Sequence, residues 1–225
     1  MLNINEIFRS IDGEVNAWGQ GILTTFIRLQ GCNLFCAYCD TKYAQDRDKK
    51  MHEMSVEDIV KIIPGTNKVT ITGGEPLLQK ETVKLIIELM NLGIKVSVET
   101  NGSIPIPIII GTDFDFNLSW VMDYKLHAAD KMCINNFWNA TSQDWIKFVI
   151  ENPADFQKAV NITEALKRGA GVARIAFSPA MKNNDIRSAQ WLAERMIEKQ
   201  LDDVVFNLQI HKLIWPVEKE GSSLL

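Results

Sequence analysis

The sequence predicts an α/β fold of six or seven mainly parallel strands in one domain spanning residues 1–225. Two observations predict it. Runs rich in β-branched and aromatic residues alternate with runs of helical period at the interval of βα units, which build parallel sheets. The residues richest in chemistry, from Cys32 and Gly73 to Asn101 and Lys125, fall just past the strand-like runs, where α/β folds gather their ligands. A chain of 225 residues is long enough for one full core, and six or seven strands are too few for a closed eight-stranded barrel.

Taken in order, Asn3 to Phe8 reads as a short strand or extended arm, and a Gly-containing passage follows from Asp12 to Gly21. Ile22 to Leu29 (ILTTFIRL) has the composition of a buried strand and delivers a cysteine-rich loop at its end. Ser55 is the expected N-cap of a helix with acids in its first turn, stopping before Pro64-Gly65. Lys68 to Thr72 is the next strand. Glu81 to Leu92 places Leu85, Ile86, Leu89 and Met90 on one helical face and stops at Gly93. Ile94 to Glu99, Leu118 to Met122, Trp145 to Ile150, Arg174 to Phe177 and Val204 to Leu208 read as strands; Asp155 to Lys167 and Asp185 to Lys199 read as helices, the latter capped by Asn183 or Asn184.

Composition narrows the function. Apolar content of 46% with 23% charged residues is that of a soluble globular protein. A net charge of -4 argues against direct nucleic-acid binding, which depends on neutralising phosphates, but leaves nucleotide-like small molecules open. Three cysteines gathered in one loop, with Cys133 alone as a packed or incidental thiol, argue against disulfides and for a reducing, cytoplasmic setting. Met1 to Phe8 lacks the pattern of a signal peptide, and the apolar run Ile104 to Ile110, broken by Pro105 and Pro107, is too short to span a membrane.

The loop Gly31-Cys32-Asn33-Leu34-Phe35-Cys36-Ala37-Tyr38-Cys39-Asp40-Thr41 spaces its cysteines as CxxxCxxC. A [4Fe-4S] cluster takes four thiolates in its usual sites, so three imply an iron free to bind something other than protein. The alternatives are a structural zinc completed by His52, His127 or His211 and a redox CxxC pair. Gly73-Gly74-Glu75-Pro76 ends a strand where glycines let backbone approach a ligand; the same tetrapeptide also makes an ordinary turn. Glu99 and Asn101, Asp123 and Lys125, and Ser178 end later strands, where solvated termini are the plain alternative.

The CxxxCxxC loop followed by a Gly-Gly-Glu-Pro strand end resembles the radical S-adenosylmethionine (SAM) superfamily. Glu6 to Glu14 (EIFRSIDGE), Phe26 to Leu34 (FIRLQGCNL), Cys39-Asp40-Thr41, Met122 to Leu126, Lys147 to Ile150 and Gln209 to Lys212 together resemble the 7-carboxy-7-deazaguanine synthases. The resemblance runs from Glu6 to about Pro216 and rests on several motifs in order.

The resemblance implies a partial TIM-like (β/α) barrel and a ring contraction of 6-carboxy-5,6,7,8-tetrahydropterin to 7-carboxy-7-deazaguanine with loss of ammonia, a step towards queuosine-type 7-deazapurines. Cys32, Cys36 and Cys39 would hold the cluster. Tyr38, Asp40, Gly73, Gly74, Glu75, Glu99, Asn101, Asp123, Lys125 and Ser178 would receive SAM, which is regenerated in each turnover. Thr41 would offer an oxygen to Mg2+, a hard cation; its plain reading is a turn-capping hydroxyl. Ile11, Asp12, Gly13, Glu14, Arg28, Thr72 and His211 would read the pterin, Arg28 through a forked pair with its carboxylate unless it is spent on a surface acid from an edge strand. A flavodoxin or ferredoxin would supply the electron, and a homodimer is implied.

Three departures stand out: Asp12 where the family has Gln, Tyr38 where Trp is commoner, and His127-Ala128-Ala129-Asp130 where the family tends to Pro-Ser-Ser-Gly. Two other readings remain open at this level. A glycyl-radical-enzyme activase would act on a protein and have no use for Thr41, Arg28 or the Ile11 to Glu14 stretch. A zinc-stabilised binding module would be colourless and non-catalytic.

Overall fold

The computed structural model describes residues 1–109, 117–132, 134–168, 173–181 and 185–215. The expected lone thiol Cys133, the caps Asn183 and Asn184, and Pro216 lie outside the described residues. Among those described, nine strands form one sheet: β1 (Leu2–Ile11), β2 (Leu23–Leu29), β3 (His52–Met54), β4 (Lys68–Gly73), β5 (Lys95–Thr100), β6 (Leu118–Asp123), β7 (Trp145–Ile150), β8 (Arg174–Pro179) and β9 (Val204–Phe206). Their order is β3-β1-β2-β4-β5-β6-β7-β8-β9. From β2 to β9 all seven strands are parallel, while β1 runs antiparallel to both β2 and β3. The expected six or seven parallel strands are therefore present, with an antiparallel margin that sequence periodicity did not reveal. Helices α1 (Val56–Ile62), α2 (Thr82–Asn91), α3 (Pro153–Arg168) and α4 (Ile186–Glu198) supply four of the six parallel crossovers, 3-10 turns at Leu126–Lys131 and Ile134–Phe137 stand between β6 and β7, and α5 (Ile210–Ile214) follows β9.

Alternation along the strands separates two environments. Ile27, Leu29, Val69, Ile71, Val96, Val98, Trp120, Met122, Ile146, Phe148, Ile175 and Phe177 are buried together with Leu85, Ile86, Leu89, Phe156, Ala159 and Leu192 of the helices; each large side chain so buried contributes about 1.5–3 kcal/mol. Polar residues crowd the alternate rows, Thr24, Arg28, Lys68, Thr70, Thr72, Ser97, Glu99, Ser119, Asp123 and Lys147 among them, beside the apolar Phe26, Val121, Trp145, Val149 and Ala176. Ser55 caps α1 as expected, accepting from the Asp58 amide at 3.1 Å. Asp185 caps α4, its carboxylate accepting from Arg187 N.

The sheet does not close, and the passage 12–21 bridges the gap. Asp12 N donates to Ile22 O at 2.8 Å and Gly21 N to Asp12 O at 2.8 Å, while Ile210 N donates to Gly13 O at 3.3 Å. Val15 N and Gln20 Nε2 both donate to Asn207 Oδ1 just past β9, at 3.0 and 2.9 Å. The loop therefore pins the last strand's end to the first hairpin and brings α5 beside β1.

Candidate functional site

The carboxyl ends of the parallel strands open into a cleft of about 1330 Å³. At one end lies the cysteine loop. Gly31, at φ +98°, turns the chain out of β2, and its carbonyl accepts from Glu75 N at 2.8 Å. A Cβ at Gly74 would lie 2.1 Å from that same carbonyl oxygen, and one at Gly73 would lie 2.1 Å from Leu29 O. The glycine pair thus lets the end of β4 lie against the cluster loop; both glycines also line the cleft.

Cys32, Cys36 and Cys39 are free thiols that line the cleft. Leu34 N donates to Cys32 Sγ at 3.4 Å and Asn101 Nδ2 at 3.7 Å, contacts of the kind that tune cluster sulfurs. Burial pushes the Cys32 and Cys36 thiols up, and the Cys39 charge adds to both, so these thiols would ionise on metal arrival. Three thiols lining one cleft, two of them with hydrogen-bonded sulfur, and no fourth cysteine beside them among the described residues, fit a cluster with one open iron. Among the described residues no three His, Cys, Asp or Glu gather closely enough for a single metal ion; thiolates on separate irons of a cube stand further apart than ligands sharing one ion. Thr41 precedes a short helical turn but makes no side-chain cap; its hydroxyl lies 3.6 Å from Cys39 Sγ on the cleft wall, so the turn-capping alternative does not describe it.

Past the cluster loop, Tyr38 meets His127 edge-on with ring centroids 5.1 Å apart, and Lys125 Nζ sits 5.7 Å from its ring centre. The departure at residues 127–130 thus supports the other departure, at Tyr38. Lys125 pairs with Asp123 at 2.5 Å. Asn101 is tied to Asn33 Oδ1 at 2.8 Å and accepts from Ser103, holding the end of β5 to the cluster loop.

The other end is built on the inward rows of β1, β2, β4 to β7 and α5. Arg28 stands opposite Glu6 and Thr72 in register, and Asp123 opposite Lys147. Arg28 Nε donates to Glu6 Oε1 at 2.7 Å, where Tyr43 also donates at 3.0 Å. The pairing alternative for Arg28 is half right: it has an acidic partner, but Glu6 is buried and β2 is interior. Among the described residues the terminal nitrogens of Arg28 hold no hydrogen bond, which leaves a donor edge for an anion. Thr72 donates to Glu99 Oε2 at 2.8 Å; burial, then the Asp12 charge, push the Glu99 carboxyl up to about 7.

Glu14 Oε1 accepts from Gln209 at 2.6 Å, and Glu14 Oε2 lies against Lys147 Nζ, which is 3.1 Å from Asp123 Oδ1. Burial and the Lys212 charge push the Lys147 ammonium down to about 7, with Asp12 pulling the other way. Against the push of burial, Lys212, 2.8 Å away, holds the Asp40 carboxyl below its ordinary value. Burial and Lys212 push His211 down to about 4, so it is neutral. A Cβ at Gly13 would lie 1.9 Å from His211 Nδ1; glycine there is what lets α5 bring the imidazole in.

Three expected residues do not line the cleft. Asp12 is buried against Lys68 Nζ and accepts from Thr70 Oγ1 at 3.0 Å. Glu75, fully buried, accepts from Leu77 N at 2.9 Å, Thr100 Oγ1 at 2.8 Å and Asn101 N at 2.7 Å, a strut between two strand ends. Ser178, also fully buried, accepts from Asn207 at 3.2 Å. Conversely, Glu6, Tyr43, Lys147, Gln209 and Lys212 line the cleft without a site role assigned from sequence, although all but Tyr43 stand in the motifs that carry the resemblance; a lone charge in the apolar run WIKFVI was a further signal for Lys147.

A model of the radical SAM superfamily matches residues 26–110. The chain is 38% identical over 223 residues to the 7-carboxy-7-deazaguanine synthase of Clostridium acetobutylicum, covering 96% of this chain and 97% of that protein. It is 36% identical to that of Koribacter versatilis, covering 98% and 100%. The crystal structure of QueE from Escherichia coli shares the fold, with a TM-score of 0.71 at 22% identity, over 92% of this chain and 93% of that one. An open, mostly parallel sheet with three thiols at its carboxyl edge agrees with each of these likenesses: the chain belongs to the 7-carboxy-7-deazaguanine synthase family of radical SAM proteins.

Proposed function

We propose that residues 1–225 act as one radical SAM domain that contracts the ring of 6-carboxy-5,6,7,8-tetrahydropterin to 7-carboxy-7-deazaguanine with release of ammonia. The observation that carries this reading is the union, in one cleft, of a three-cysteine loop with a polar end that holds Arg28, Glu14 and His211. When bound, the cluster and SAM supply reversible removal of a hydrogen atom from C6 of the substrate. The chain's own residues hold and orient. Cys32, Cys36 and Cys39 ligate the cluster; Gly73, Gly74, Asn101, Asp123, Lys125, Glu99, Asp40 and Tyr38 border the space for SAM, and Glu75 and Ser178 act from beneath it. Arg28 presents its free guanidinium edge to the pterin carboxylate while Glu6 fixes its plane. Glu14 accepts from the pterin amine and ring NH, Thr72 and neutral His211 complete the polar rim, and Ile11, Asp12 and Gly13 contribute backbone. The Thr41 oxygen suits Mg2+.

A flavodoxin or ferredoxin as reductant, a homodimer, a cytoplasmic location and the absence of nucleic-acid contact belong to the same proposal. They are supported by the free thiols, the net charge of -4 and the family. Neither a glycyl-radical activase nor a zinc module finds support, since both leave the Arg28 and Glu14 end without a purpose. The test is an anaerobic assay of reconstituted protein with the carboxypterin, SAM, dithionite and magnesium, following product by mass spectrometry. Product that vanishes in Cys36→Ala sustains the reading. 5'-Deoxyadenosine without the deazaguanine would leave the superfamily and overturn the substrate.

A further inference from the structure

Lys147 is the lone charge of β7, and the binding roles above give it no task. Its Nζ lies against Glu14 Oε2 and 3.1 Å from Asp123 Oδ1. Both oxygens are buried, and neither is in a directed hydrogen bond. The other oxygen of each carboxylate is already taken, by Gln209 at 2.6 Å and by Lys125 at 2.5 Å. Two carboxylates are thus held by their outer oxygens and turn their inner ones to a single ammonium. Glu14, Asp123 and Lys147 all line the cleft, with Lys212 and His211 of α5 and Asp12 of the bridging loop close enough to act on the group electrostatically. Beneath it, Val15, Trp145 and Ala176 form a small apolar cluster, which gives the cation nothing to pair with. A buried cation needs carboxylate partners; Lys147 has two, and together the three groups place an ammonium and a carboxylate side by side on the cleft wall, where a proton can pass between them.

We propose that Lys147 is the catalytic acid of the ammonia-releasing step, with Glu14 as the base beside it. The inference rests on the ring contraction proposed above. Substrate and product of that reaction differ by one molecule of ammonia, so after rearrangement the last step is a redox-neutral elimination from a ring-contracted amine. The C–N bond breaks and its electron pair leaves on nitrogen, which takes a proton from Lys147 Nζ. The neighbouring C–H pair becomes the new double bond, and its proton goes to Glu14 Oε2 and from there to Nζ, restoring the ammonium. No oxidant or reductant enters this step.

The test uses reconstituted holoenzyme, substrate deuterated at C6, and the variants Lys147→Met and Lys147→Arg. Three quantities are read: deuterium entering SAM, which reports the radical step; product; and a chromatographically distinct isomer of the substrate, the ring-contracted amine. Binding of oxidised 6-carboxypterin to the protein gives a readout independent of turnover. The expected result is that Lys147→Arg, which keeps a positive charge between Glu14 and Asp123, binds the carboxypterin as the parent does, and that both variants still pass deuterium to SAM when saturated with substrate. Both should lose about 100-fold or more in product, the scale of general acid–base catalysis, and accumulate the isomer. Full product from Lys147→Arg overturns the proposal, because a charge alone would then suffice. In Lys147→Arg, equal loss of deuterium transfer and product, or lost carboxypterin binding, also overturns it in favour of positioning. A parent that transfers deuterium but yields no deazaguanine overturns the ring-contraction reading and this one with it.

Discussion

Asp12 offers the sharpest separation of structure from substrate reading. The family resemblance sets a usual Gln against this position, and placing Gln there looks at first like an improvement. In the structure both Asp12 and Lys68 are 2% exposed and meet in the barrel interior, where Lys68 Nζ also donates to Thr70 Oγ1 at 2.9 Å and lies 5.7 Å from the Trp18 ring centre. Removing one partner of a buried pair leaves an uncompensated charge and costs about 3–5 kcal/mol. At about 2–4 °C per kcal/mol for a chain of this size, Asp12→Gln should lower Tm by roughly 6–20 °C. Lys68→Met should do the same. The double change Asp12→Gln with Lys68→Met removes both charges and should recover much of that loss, giving a large coupling in a double-mutant cycle. Urea unfolding by circular dichroism measures all three. An Asp12→Gln protein with the parent midpoint and tighter carboxypterin binding would refute the reasoning and return the Asp12 side chain to the cleft.

Two further predictions follow from the site. Gly74→Ala places a methyl group 2.1 Å from Gly31 O, so the cluster loop must move; reconstituted variant protein should show reduced iron per chain and weakened SAM binding, measured by iron analysis and calorimetry. His211 is pushed down to about 4 by burial and Lys212. Its stabilising contribution is therefore full above its unfolded value near 6.5 and is lost as pH falls through about 4, because the unfolded chain takes up a proton that the fold refuses. Thermal midpoints of parent and His211→Asn between pH 7 and 4 should converge on acidification.

The parallel strands were legible because each is a β-branched or aromatic run with a polar or glycine stop, and β4, β7 and β8 each lead into an amphipathic helix. β3 was not, because His52-Glu53-Met54 has no strand pattern of its own and exists by pairing with β1. The cysteine loop was legible from spacing alone, and so was the Gly-Gly turn, although what the glycines approach, Leu29 and Gly31, is set by the third dimension. Glu75 and Asn101 sit 26 residues apart, and Asp12 and Lys68 sit 56 apart; no local pattern announces such pairs. Lys147 was visible as a charge in an apolar strand, yet its meaning depends on Glu14 and Asp123 arriving from two other elements.

The most direct test of the central claim is the ratio of 7-carboxy-7-deazaguanine formed to SAM consumed, taken over many turnovers of reconstituted protein with the carboxypterin. The account predicts many product molecules for each SAM lost, with deuterium from C6 accumulating in the SAM pool. One SAM spent per product, or SAM cleavage with no deazaguanine, would contradict it.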